Sequence, residues 1–379
     1  MSTDHPGSDE ARRLFADFVK QKTKQRAILD QPTGAQAIKA DIMRISLESM
    51  RDHLRLTAGA KQADGTAFRA YAGYVDSFGI SGISGAQAGC HFCALYLGLA
   101  AACYEFANFC FSQTDMFRDI GDPDKEISPE PLDRTVPGLW MRGKGRGLET
   151  SAFVERGRTY LPRCSERETK ALLLALLMLR VVWLHELAHC LNGHVDWSFR
   201  AYGLTCLFDG HDPDAPPQPH VPQAHLLEYD ADQSALMLAC KVQIAEAENI
   251  SGLLAMPLVQ RLHWTLFAAY VVTLILAMHE RIYPPPNRNN HPSPEARLVN
   301  QVRTVASNIL PLSPAVKAAN TAAFADLSRL SALVPAVPDI SALVTGSDTA
   351  ALHDDLDKAQ DDLEHLRAHW QGLAYRAGP

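Results

Sequence analysis

The chain reads as an α+β protein that is mainly α-helical, and three observations lead there. Apolar stretches at 92–104, 171–184 and 264–278 exceed the length of ordinary strands. Ser165-Glu-Arg-Glu168 has the form of a capping box, a signature of a helix start. β-prone runs are short and few, the clearest lying at 147–162 around Arg156-Gly157-Arg158.

Taken in order, residues 9–60 are expected to be helical, with Ile42, Ile45, Leu47 and Met50 near helical spacing. A glycine-rich stretch at 73–89 separates them from an apolar helix expected over 90–111. Residues 112–146 are polar and loop-rich, and 147–162 fit a β-hairpin. A helix follows from about Glu166 to Asn192, broken only by Arg180 in its apolar middle and closed by Gly193. Residues 209–223 (DGHDPDAPPQPHVPQ) read as a loop, and HLLEYDADQSALMLAC after it has helical spacing. Residues 300–330 read as helical and 331–348 as a connector. The tail carries Leu352, Leu356, Ala359, Leu363, Leu366 and Trp370 at heptad-like spacing, a seam able to dock on its own chain or pair with another. Three regions result: a helical 1–111, a core at 112–300 and a helical 301–379.

The chemistry concentrates in HELAHCLNGH, from His185 to His194. On a helix His185 and His189 lie four residues apart, about 40° around the axis, so both imidazoles leave one face. That pair suits two ligands of Zn²⁺, with Glu186 between them able to deprotonate water at the ion and pass the proton to a leaving amine. The expectation is a zinc-dependent peptide-bond hydrolase.

The third ligand is less direct. A metzincin would carry glycine at 192 and histidine at 195, where this chain has Asn192 and Val195. Downstream, Glu228 and Asp232 are spaced i, i+4 on one helix. Glu228 can supply a carboxylate oxygen, and Asp232 can accept the free ring N–H of a liganding histidine. His194 competes only if the chain turns at Gly193, and Asp230 and His225 are further candidates.

His-Glu-x-x-His followed by Glu228-Tyr-Asp-Ala-Asp232-Gln-Ser-Ala235 resembles the gluzincin metallopeptidases. His291-Pro-Ser-Pro-Glu-Ala-Arg297 is similar to the His-Pro…Arg element of CAAX-prenyl-protease-like gluzincins, and the Asn-Gly-His ending of the motif to Lit-type phage-exclusion peptidases. The matches cover about 185–297. The resemblance implies a zincin-like core, zinc on His185, His189 and Glu228, and Glu186 as base and then acid. It also implies His291 or Arg297 at the oxyanion, with Tyr283 a further choice. A Lit-like role would mean cleaving a cytosolic host protein in phage defence. The rivals are a quality-control protease at a membrane face and a non-hydrolytic zinc-binding interaction module.

Composition bounds the rest. A hydrophobic content of 47% over 379 residues is ample for a core, and a net charge of −7 argues against nucleic acid as a partner. The N-terminal residues show no apolar leader, and the eight cysteines have no disulfide framework, which suggests reduced thiols in the cytoplasm. No apolar stretch reaches the ~20 residues of a span, so a soluble helical core is expected, with the membrane-bound members of the resembled family as the alternative and peripheral membrane contact open.

Overall fold

The computed structural model describes residues 9–29, 37–57, 59–77, 79–131, 160–209, 223–282, 292–335, 337 and 350–376. Helices dominate, around one small mixed sheet, as the α+β expectation has it. Strands β1 (Ala27–Ile28), β2 (Ala70–Val75), β3 (Gly82–Gln87), β4 (Cys90–Tyr96) and β5 (Cys206–Asp209) lie in the order β1-β2-β4-β3-β5. β2 and β4 run parallel, while β1 is antiparallel to β2, and β3 is antiparallel to both β4 and β5.

The sheet is a middle layer, and its residues sort by the two-residue period of a strand. Phe92, Ala94 and Tyr96 of β4, with Tyr71 and Val75 of β2, pack on Phe15, Phe18 and Val19 of helix α1 (Asp9–Thr23). Cys93 and Leu95, with Ala72 and Tyr74, join the main core on the other side. Helix α2 (Ala37–Leu56) feeds that core through Ile42, Met43, Leu47, Met50 and Leu54.

The run from Cys90 was read as the start of a helix, but it is a strand to Tyr96, and helix α3 begins at Leu97 and ends at Phe111. All seven residues of β4 are buried. A strand covered on both faces loses its alternation and reads like a buried helix. The glycine-rich 73–89 likewise contributes to β2 and all of β3, while the hairpin read at 147–162 falls almost wholly outside the described residues.

Helix α4 (Ser165–Leu191) spans 27 residues and crosses beneath the sheet. Tyr74 and Trp183 meet edge to face at 5.4 Å. The helix starts where the capping box suggests, but Cys164 takes the cap position without a side-chain cap bond. Just ahead of it, the Glu126 carboxylate accepts from the amides of Arg163 (2.8 Å) and Cys164 (3.1 Å). One turn on, buried Arg167 donates to the carbonyls of Phe111, Gln113, Met116, Phe117 and Ile120, each at 2.9 Å. That cage fastens the loop after α3 to the start of α4.

Arg180, the charge within the apolar run, is buried and paired with Glu248 at 2.6 and 2.8 Å, beside Ser49 and Asn249. His53 lies close by and stays neutral, its pKa lowered to about 4, mainly by burial and then by Arg180. The unfolded chain binds this proton near 6.5 and the fold does not, so stability should fall as pH drops from about 6.5 to 4. Thermal melts of wild type and His53→Asn should show a shallower pH slope in the variant across that window; equal slopes would refute this.

Beyond α4 come α5 (His194–Tyr202), α6 (Ala224–Ile244), the single turn α7 (Ser251–Leu254), α8 (Leu258–Ile282), α9 (Pro294–Thr304), α10 (Pro314–Leu333) and α11 (Ala350–Trp370). The region expected to be helical over 300–330 is so, as α9 and α10 joined by a π turn at Val305–Ile309 and a 3₁₀ turn at Leu310–Leu312. The heptad seam of α11 docks on its own chain: Leu356, Leu363 and Trp370 are buried in the main core, and Arg303 of α9 holds Asp357 at 2.6 Å. By length and composition α4 and the Leu258–Leu276 part of α8 could each cross a membrane, although 94% and 78% of their apolar windows are buried inside the fold.

Candidate metal centre

Helix geometry brings His185 and His189 to one face of α4, where they meet Glu228 from α6. The ring Nε2 atoms of the two histidines are 3.1 Å apart. Glu228 lies 3.3 Å from His185 Nε2 through one oxygen and 3.5 Å from His189 Nε2 through the other. All three residues are buried, and their ligand atoms fall within 4.8 Å of one another, an arrangement that can hold a metal ion.

Close polar contacts behind the rings bear on which nitrogen faces inward. His185 Nδ1 is 2.9 Å from Asp232 Oδ1. An ionised carboxylate only accepts, so His185 donates there and turns the lone pair of Nε2 toward Glu228. Asp232 is held ionised by Arg297, whose Nε and Nη2 donate to its two oxygens, both at 2.8 Å. Burial pushes this carboxyl up, but Arg297, with help from His185, outweighs burial and holds it far below the usual range.

His189 is backed by a longer chain. Its Nδ1 lies 3.0 Å from Nδ1 of His194, whose Nε2 lies 2.9 Å from Asp230 Oδ2. Asp230 also accepts from Asn192 Nδ2 (2.7 Å) and from Arg367 Nε (2.8 Å) and Nη2. Burial raises the Asp230 carboxyl, and His194 and then Arg367 reverse that, bringing it to about 2.

The competitors for the third position thereby find their places. The chain does turn at Gly193, in the left-handed region at φ +85°. That turn aims His194 at the back of His189 rather than at the shared centre. Asp230 supports His194, one helical face away from Glu228. His225 packs edge-on to Tyr229, its ring 6.4 Å away, and stands outside the donor group. Arg297, offered by the resemblance for an oxyanion, forks onto Asp232. His291 and Tyr283 lie outside the described residues, as do His211, Asp212 and Asp214 of the 209–223 loop.

Glu186 is fully buried. Its carboxylate sits against β3 at Gly82, where a Cβ atom would come within 1.9 Å of Oε1. Position 82 therefore holds a glycine for space, and the sheet touches the acid of the motif there.

Three residues of this site escaped the sequence reading: Gly82, Arg367 and Trp370, whose indole meets the His194 ring at 4.9 Å. No family model, curated protein or solved structure matches this chain.

Proposed function

We propose that the chain is a zinc-dependent endopeptidase of gluzincin type, with His185, His189 and Glu228 as ligands and Glu186 as general base and then acid. One observation carries this reading: three electron-pair donors converge in a buried place. With both Nδ1 hydrogens spent on Asp232 and His194, neutral rings turn two lone pairs toward a carboxylate at separations of 3.1 to 3.5 Å. In that tautomer, with neither a cation nor a proton between them, these atoms repel. Around tetrahedral Zn²⁺ with bonds of about 2.0–2.1 Å, neighbouring donors stand about 3.3 Å apart. The donor set therefore fits zinc.

Bound zinc polarises a peptide carbonyl and lowers the pKa of its water to about 7. Glu186 takes up a proton at its carboxylate and returns it to the departing amine. Asp232 and His194 hold the rings in the tautomer that leaves Nε2 free. A structural zinc usually has four protein ligands; the three found among the described residues favour the catalytic reading over an interaction module. Strand β5, an edge of the described sheet, pairs Asp209 with Gly82 beside Glu186 and offers a backbone along which an extended peptide can lie. The Lit-like motif ending adds, by analogy alone, a cytosolic host protein as substrate and a role in phage defence or regulated proteolysis.

The test joins metal to cleavage. Purified wild type should carry one zinc per chain, and Glu228→Ala should lose most of it while His194→Ala keeps a measurable share. Cells expressing wild type should display new protein N-termini missing from cells expressing Glu228→Ala. Full zinc retention in Glu228→Ala, or identical N-termini in both, overturns the proposal.

A further inference from the structure

The two histidines of the centre are supported from different parts of the chain. Behind His185, Asp232 and Arg297 come from α6 and α9. Behind His189, the support passes through His194 and Asp230 to Arg367 on α11, 137 residues beyond Asp230. The direction of each bond follows from the acceptors. Asp230 can only accept, so a neutral His194 carries its hydrogen on Nε2 and presents the Nδ1 lone pair. His189 Nδ1 at 3.0 Å must then donate, which leaves Nε2 of His189 as the inward lone pair.

The same segment grips the end of the motif helix in a second, independent way. Past α11, the amide of Tyr375 donates to the carbonyl of Leu191 at 2.7 Å, satisfying an acceptor left open where α4 ends. A Cβ at Gly193 would lie 2.8 Å from the carbonyl carbon of Leu373, so the tail fills the turn that aims His194. Trp370 meets the His194 ring at 4.9 Å and Trp197 at 5.6 Å.

We propose that the C-terminal helix is a working part of the metal centre, with Arg367 acting through Asp230 and His194 as a positioning residue that sets the tautomer and tilt of His189. This rests on the metal-site reading above. Removing partners of this kind typically costs 10–100-fold in metal affinity. The last turn of α11 thus acts on His189 through Asp230 and His194.

The experiment uses the full chain and zinc itself. Dissociation constants come from chelator competition, ligand geometry from the visible spectrum of the cobalt-substituted protein, and fold integrity from melting of the metal-free form. Arg367→Ala and His194→Ala should each weaken zinc by about 10-fold or more and shift the cobalt bands. The double variant should be no weaker than His194→Ala, because both residues belong to one chain of bonds. Arg303→Ala is the control. It removes the contacts to Asp357 and His353 that hold the same helix away from the centre, and it should lower the melting temperature while leaving zinc affinity unchanged. Wild-type affinity and spectrum in Arg367→Ala would overturn the proposal. So would equal weakening in Arg303→Ala, which would make the effect one of helix docking alone. A wild type that binds no zinc removes the metal-site reading as well, and only that result does so.

Discussion

Glu186→Gln should keep zinc and lose cleavage by about 10²–10⁴-fold, the range expected when a general base is removed. The amide matches the carboxylate in size but cannot take up a proton. Glu186 stands outside the donor group of His185, His189 and Glu228, so metal content should match wild type. The side chain is fully buried, and substituting a neutral group of equal shape avoids stranding a charge there. The measurement is zinc per chain and rate of peptide-bond cleavage on the same preparation. Zinc retention with lost turnover separates this role from that of a ligand. An enzyme that still turns over at the wild-type rate would exclude Glu186 from proton transfer and return the centre to a binding role.

What could be read from the chain follows the reach of each physical signal. The pairing of His185 with His189, and of Glu228 with Asp232, was legible because residues four apart on a helix share a face. The long helix was legible because an apolar run of that length has no other home. β4 was not, since a strand buried on both sides carries no period that tells it from a helix. His194 and Asp230 were visible as groups near the candidate centre, but sequence spacing gives proximity without direction. The turn at Gly193 decided that they stand behind His189 rather than beside it. Arg367 left no local trace. It sits between Leu366 and Trp370 as an ordinary charge beside an apolar seam, and only the docking of α11 onto α6 shows that it meets Asp230. Gly82 was hidden for a related reason: a glycine kept for space looks like any other until the neighbour is known.

That glycine supports the second large effect. Gly82→Ala should reduce cleavage by at least about 10²-fold while zinc stays bound. The added methyl would lie 1.9 Å from Glu186 Oε1, 2.7 Å from Cδ and 3.1 Å from Cγ, so something must move. β3 is held on both sides, Gly82 facing Leu95 on β4 and Asp209 on β5. Helix α4 is fixed along its length by a buried core, so the carboxylate is the part that gives. Overpacking of this kind costs typically about 1–3 kcal/mol, a fall in melting temperature that leaves the protein folded. His185, His189 and Glu228 are not touched, which predicts normal zinc content. A double-variant comparison identifies the cause. If the methyl acts by displacing Glu186, then Gly82→Ala in a Glu186→Gln background should remove little further activity. A further large loss in that background would mean that the strand itself, and not the acid it crowds, limits the reaction. Full turnover in Gly82→Ala alone would mean that the carboxylate does its work from some other position.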